Sequence, residues 1–209
     1  MAAGRVLAAE GLVTAFGHVS ARLEGGRFAI TPPKPLGTLG GGEEFSSVSL
    51  DEEELPAGTP KEAWIHWSIY HARPDIQAIC RAQPQTSMAL AASGAPVRAL
   101  HGHGAFIDRE VPVYDDSRRI RGRAAADELA RTLGDSGGLI MRGNGAVTVG
   151  ESVGNAVARM WALEASAEIN HRAGAAPRAL SPQEFDYWTS VAEELLPRIW
   201  SYLKATHLR

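Results

Sequence analysis

The sequence predicts an α/β fold in one domain, and three stretches carry that expectation. Thr59–Gln83, TPKEAWIHWSIYHARPDIQAICRAQ, reads as a helix, a tight turn at Arg73-Pro74-Asp75, and an apolar strand ending in Arg81-Ala82-Gln83. Residues 19–31 read as a hairpin around Glu24-Gly25-Gly26, whose glycines supply the positive φ of a tight turn. Residues 138–149 read as two strands joined by Gly143-Asn144-Gly145, followed by a helix over Ser152–His171.

Taken in order, residues 2–13 predict a first helix with Val6, Leu7, Ala9 and Val13 on its apolar side, broken at Gly17. Strands follow over Val19–Leu23 and Phe28–Thr31. Pro33–Ser46 is a Pro- and Gly-rich loop, long enough to be functional. Val48–Asp51 reads as a short strand. Thr59 as N-cap, Pro60 at the first helical position and Glu62 at the third form a capping box for the next helix. Ile76, Ala78, Ile79 and Cys80 make a buried-strand run, and Pro84–Ser93 a helix. Val97–Phe106 is strand-like, interrupted by His101-Gly102-His103-Gly104. A helix over Gly122–Leu133 carries Ala125, Leu129 and Leu133 on one face. The helix over Ser152–His171 turns Val153, Val157, Met160, Trp161 and Leu163 inward. Ser181-Pro182-Gln183-Glu184 is a second capping box, and Pro197 should kink or divide the last helix.

At 209 residues the chain is long enough for one sizeable core; 44% hydrophobic and 22% charged residues are values of a soluble globular protein. A formal charge of -3 gives no electrostatic case for nucleic acid. The runs Asp51–Glu54 and Arg118–Arg123 read as solvated faces. A single cysteine, Cys80, excludes an internal disulfide framework and reads as a small core hydrophobe. No signal-peptide core and no run of membrane-spanning length are found, so a cytoplasmic protein is expected.

Glu62, His66, Tyr70 and Arg73-Pro74-Asp75, with Gly17-His18-Val19-Ser20, Ile30-Thr31-Pro32 and Val111-Pro112-Val113, resemble the class II aldolase/adducin family over roughly residues 5–172. The resemblance implies a three-layer α/β/α sandwich on a mostly antiparallel sheet, and a ring-shaped homotetramer with active sites between subunits. Catalytic members hold a divalent metal with three histidines, two in a His-x-His pair and one in a turn between two strands. Here the matching positions are Arg81, Gln83 and Asn144. Gln and Asn offer only neutral oxygens, and Arg81 brings a permanent positive charge. The expectation is therefore no metal and no cofactor.

Arg81 can clamp a carboxylate or enolate bidentately, doing by hydrogen bonding what the metal does by Lewis acidity. The bland alternative is an Arg81–Glu62 pair filling an inert pocket. Glu62 matches the family's acid/base residue, although the capping box alone explains a Glu there. His66, one turn on, reads as a packed core histidine. His101 and His103 alternate on a strand, which makes them candidates for proton transfer, often into a neighbouring subunit's site in this family. His18, Ser20, Thr31, Lys34, Gln83 and Asn144 are the candidate substrate contacts. The expected function is a metal-independent lyase of a biosynthetic pathway, acting on a small carboxylate or carbonyl compound. Two other readings stay open: a non-catalytic assembly protein like the adducin head, and a metal enzyme rebuilt on His101 and His103.

Overall fold

A computed structural model describes residues 1–174 and 176–208. Its centre is a seven-stranded sheet made of β1 (His18–Leu23), β2 (Arg27–Ile30), β3 (Ser46–Ser49), β4 (Ala78–Ala82), β5 (Val113–Tyr114), β6 (Gly138–Met141) and β7 (Gly145–Gly150). The strand order is β3-β2-β1-β4-β7-β6-β5. Every pairing is antiparallel except β5–β6. The helices are α1 (Ala2–Ala9), α2 (Ala63–Ala72), α3 (Gln85–Ser93), α4 (Arg123–Leu133), α5 (Val153–Ala173), α6 (Pro182–Ser190) and α7 (Ala192–His207).

The pleat of the sheet sorts its side chains into two cores. On β4, Ala78, Cys80 and Ala82 join Val6 and Leu7 of α1, Leu90 of α3, Met160 and Leu163 of α5 and Leu203 of α7. Ile79 lies on the other face, with Val147 and Val149 of β7, Ile65 and Ile69 of α2, and Leu129 and Leu133 of α4. This is the expected three-layer α/β/α sandwich. Arg81 is two residues beyond Ile79, so the same alternation aims a guanidinium toward α2 inside the protein.

Several local expectations are corrected. The first helix ends at Ala9 rather than near residue 13: Gly11, at φ 70, turns the chain, and Leu12 and Val13 bond back to the Leu7 carbonyl. Val97–Phe106 is not a strand. Arg98 makes an isolated bridge to Glu110, and Gly102–Phe106 is a 3-10 helix. Its glycines serve close approach: a Cβ on Gly102 would stand 2.4 Å from the Trp188 ring, and one on Gly104 would stand 3.0 Å from Ala99. The last helix divides at Val191, and Pro197 is carried inside α7. The 33–46 loop is pinned rather than free, with Leu36 and Leu39 buried against α1.

The capping box at Thr59 is also overturned. The helix begins at Ala63, Glu62 takes the cap position without a side-chain cap bond, and the Thr59 hydroxyl is unbonded. The Glu62 carboxylate is drawn elsewhere, as described below. The Ser181 box does form, with Ser181 Oγ accepting from the Glu184 N–H and Glu184 accepting from the Ser181 N–H.

The β6–β7 turn depends on Gly145, at φ 106, where a Cβ would stand 2.2 Å from the Ala82 carbonyl oxygen. Backbone cannot yield to that clash as a side chain does. Gly145→Ala is expected to lower unfolding free energy by about 3 kcal/mol in urea titration. A loss under about 1 kcal/mol would show that the turn tolerates a side chain there.

Candidate active site

β1 and β4 are neighbours, and their register sets His18 directly opposite Arg81. Opposed residues of an antiparallel pair share a face, so both side chains meet α2. The N-terminus of α2 supplies Glu62 above them, and the tip of the β6–β7 turn supplies Asn144. Elements far apart in sequence thus converge on one spot because the sheet register aligns them.

Arg81 is the largest fully buried side chain, at 2% exposure. Its Nη2 donates to the Asn144 backbone oxygen at 2.8 Å and to Asn144 Oδ1 at 2.9 Å, and lies 3.2 Å from Glu62 Oε2. Asn144 Nδ2 closes the loop by donating to Glu62 Oε1 at 3.2 Å. Nε and Nη1 have no partner among the described residues. Removing a guanidinium from water costs several kcal/mol unless its donors are satisfied, so two bare donors on a buried Arg are an unfilled demand. Burial lowers the Arg81 pKa and Glu62 pulls it back up; from so high a starting value the group stays charged.

Glu62 faces two opposing influences. Burial pushes its carboxyl up, but hydrogen bonding to His18 and the Arg81 charge outweigh that and hold it at about 2. His18 Nε2 lies 3.5 Å from Glu62 Oε2. Behind His18 runs a buried polar chain. Its Nδ1 is 2.7 Å from His66 Nε2, His66 Nδ1 is 2.6 Å from Ser20 Oγ, and Ser20 Oγ is 2.8 Å from the Tyr70 hydroxyl. His66 is fully buried, as a packed core histidine should be, yet both its ring nitrogens are engaged.

These residues border a cleft of about 420 Å³, in the range of small-molecule sites. His18, Lys34, Glu62, Arg81, Gln83 and Asn144 line it, which unites six of the residues expected from sequence. An inert pocket filled by the Arg81–Glu62 pair would leave no such space. The rim adds residues the sequence reading missed: Lys61, Arg119 and Arg121. None of these three makes a hydrogen bond or ion pair among the described residues, whereas Lys34 is held by Glu43 at 2.8 Å. Ile120, 2% exposed in the α2–α4 core, pins the segment while its two flanking arginines reach the cleft. A basic run pinned by one core isoleucine is the signal that a solvated-face reading overlooks.

Two expected substrate contacts lie behind the wall instead. Ser20 belongs to the buried chain, and Thr31 Oγ1 accepts the Val19 N–H at 3.1 Å. His103 is on the 3-10 helix beside α5 and His101 is the extended residue that precedes it, and neither lines this cleft within the chain. His101 Nε2 is 3.0 Å from Ser166 Oγ, and His103 packs on Phe106 and Trp161. Cys80 is a buried free thiol that burial pushes up to about 12, so it is no nucleophile.

The donor set at the family's metal positions does not fit a divalent cation. A buried guanidinium occupies the space with one carboxylate beside it, and Gln83 and Asn144 add only neutral groups. Among the described residues no group of three His, Cys, Asp or Glu side chains could hold a metal ion, and this includes the surroundings of His101 and His103. No described helix is long and apolar enough to cross a membrane.

Comparison with known proteins agrees with the fold. The pattern of the Class II Aldolase and Adducin N-terminal domain matches residues 1–171. A 3,4-dihydroxyphthalate decarboxylase of Terrabacter sp. is 28% identical over 187 residues, covering 82% of this chain and 78% of that protein. The enzyme of the same name from Arthrobacter keyseri is 28% identical over 192 residues, covering 84% and 77%. The L-fuculose-1-phosphate aldolase of Thermus thermophilus is 31% identical with TM-score 0.72, covering 84% of this chain and 94% of that one. Decarboxylases and aldolases are both lyases, and these relatives support a lyase-type enzyme. With the family pattern spanning residues 1–171 and the sheet and helix layers in agreement, the chain belongs to the class II aldolase and adducin family.

Proposed function

We propose that the protein is a metal-independent lyase acting on a small carboxylate, by retro-aldol cleavage, decarboxylation or a related enolising step. One observation carries the reading. Arg81 lies buried at the floor of an open cleft with Nε and Nη1 unbonded, while Nη2 is engaged by Asn144 and Glu62. Breaking a C–C bond of a carbonyl compound moves an electron pair onto the carbonyl oxygen, forming an enolate. Arg81 meets that charge with fixed donors in a site of low dielectric. In retro-aldol cleavage Glu62, ionised beside it, takes the substrate hydroxyl proton and returns it to the enolate carbon. In decarboxylation carbon dioxide leaves, the same enolate forms, and the carbon then gains a proton.

The rim refines the substrate class. Lys61, Arg119 and Arg121 are unpaired, and Glu62 is the one carboxylate facing them and Arg81 in the cleft. A substrate with a second anionic group balances that charge best. Decarboxylases named for a dicarboxylate, together with an aldolase named for a sugar phosphate, support a doubly anionic substrate.

Phthalate, titrated by calorimetry, is expected to bind the wild-type protein before and after chelator treatment. Arg81→Lys keeps the charge but loses the planar fork, so its affinity should fall tenfold or more, about 1.4 kcal/mol. A folded Arg81→Gln variant that binds phthalate as well as wild type would sink the reading.

Glu62 provides a pH test. Its folded pKa of about 2 lies below the ordinary 4.5, so its stabilisation is present above pH 4.5 and is lost as pH falls toward 2. Across that window wild type should lose on the order of 3 kcal/mol more than Glu62→Gln. Parallel acid limbs in urea titrations at stepped pH would show that Glu62 is not held as an anion.

The ring homotetramer belongs to the same proposal, because it is the assembly that brings His101 and His103 to a neighbour's cleft. Light scattering should report four 22.3 kDa chains. A monodisperse monomer at micromolar concentration removes both histidines from the site.

A further inference from the structure

The buried chain behind Glu62 has a direction, and the direction assigns a role to His18. Tyr70 is 1% exposed, and among the described residues the single hydrogen-bond partner of its hydroxyl is Ser20 Oγ. If Tyr70 donates, Ser20 must give its own proton to His66 Nδ1. His66 then carries its proton on Nε2 and donates to His18 Nδ1, which leaves the His18 proton on Nε2. Run the other way, His18 Nδ1–H donates to His66, His66 to Ser20 and Ser20 to Tyr70. The Tyr70 hydroxyl proton is then buried without an acceptor, at the cost of a lost hydrogen bond. A doubly protonated His18 forces that same reversed order. The forward order satisfies every group from Tyr70 to His18 Nδ1 and leaves the His18 Nε2–H facing Glu62 Oε2 at 3.5 Å.

His18 Nε2 is where the chain ends. The side chain is 6% exposed, lines the cleft, and its Nε2 lacks a hydrogen bond of normal length, with Glu62 Oε2 at 3.5 Å. The adjoining bare donors are Nε and Nη1 of Arg81, on the residue directly opposite across the β1–β4 pair.

We propose that His18 is a neutral-imidazole donor whose Nε2–H, beside Arg81, binds the substrate oxygen that becomes the oxyanion, and that His66, Ser20 and Tyr70 are positioning residues fixing its tautomer. A neutral imidazole suits the task because it polarises the oxygen without adding a mobile proton next to the Glu62 base; a donor of this kind is known in triosephosphate isomerase. The charged and titratable groups facing His18 favour the neutral form overall. Burial lowers its pKa, hydrogen bonding to Glu62 of α2 raises it, and Arg81 of β4 lowers it. His66 on α2 is lowered well below the ordinary value by burial. Lys34, Lys61, Arg119 and Arg121 add further positive charge around the same cleft.

The substrate half of the proposal rests on reading the cleft as an anion site; the tautomer half does not. Long-range 1H–15N spectra of protein labelled at histidine nitrogen decide both, with the His18 signals assigned by their loss in His18→Gln. The expected result is a protonated Nε2 and a bare Nδ1, unchanged from pH 5.5 to 8.5, with the Nε2–H resonance moving on addition of phthalate. Tyr70→Phe and Ser20→Ala remove the donors that set the direction, and each should produce a mixed tautomer population at His18 in a folded protein. A merely structural role for these side chains leaves the His18 tautomer alone. A protonated Nδ1 in the free wild-type protein overturns the proposal. So does a pure Nε2–H form in both variants, or an Nε2–H signal that ignores phthalate shown by calorimetry to bind. If phthalate does not bind, the anion reading of the cleft falls, the donor role falls with it, and the tautomer result still decides the positioning role.

Discussion

A guanidinium at 2% exposure is the constraint around which the rest of the site is arranged. Moving such a charge out of water is tolerable only where anions and carbonyls are fixed around it. Arg81 obtains Glu62 from a helix N-terminus and Asn144 from a strand turn, and neither group is free to answer another need. Glu62 gives up capping its own helix and turns its carboxylate to Arg81 and Asn144. Asn144 is held at a turn tip by glycines at φ 71 and 106, which let β7 pass against the Ala82 carbonyl. The local irregularities of this region are consequences of one buried charge.

That same charge organises the surrounding electrostatics. Glu62 stays ionised although burial opposes it, because the His18 hydrogen bond and the Arg81 charge prevail. His18 and His66 respond in the opposite sense and are both lowered by burial. The interior then contains one cation, one anion and two neutral rings, a combination that needs no mobile proton to remain balanced. The rim carries three further cations without partners among the described residues, so the cleft is more positive than its wall. A bound anion is the natural complement of that imbalance.

The fold was legible in the sequence because its signals are short-range. Strand and turn positions, the Ser181 box and the two-core alternation follow from residues within a few positions of one another. The departures arise where distant partners decide. Val97–Phe106 has strand composition, but Trp188 packed on Gly102 holds it as a 3-10 helix. The Thr59 box has the right letters and fails because a residue 19 positions from Glu62 competes for the carboxylate. Within the cleft, Glu62, Arg81, Gln83 and Asn144 were singled out through the resemblance to the family, and all four line it. The arginines at 119 and 121 were not, since only the burial of Ile120 between them shows that the segment folds back over the cleft. The chain from His18 to Tyr70 was likewise hidden, because Ser20 and His66 meet through sheet-to-helix packing that spacing does not encode.

On the metal-independent reading proposed above, Arg81 exchanges one kind of electrophile for another. A bound cation polarises an oxygen strongly, but its charge depends on occupancy and on ligands kept deprotonated. A guanidinium is always present and stays protonated even when burial lowers its pKa. It is weaker per contact, so it needs company, and the proposed company is the imidazole directly across the strand pair. Two donors on adjacent strands, held by a rigid sheet, are set before the substrate arrives. Preorganisation of that kind is what lets hydrogen bonds take over work otherwise done by a metal, since none of the stabilisation is lost to reorienting dipoles during the reaction. The sheet register that sets His18 opposite Arg81 is therefore as much a part of the chemistry as either side chain.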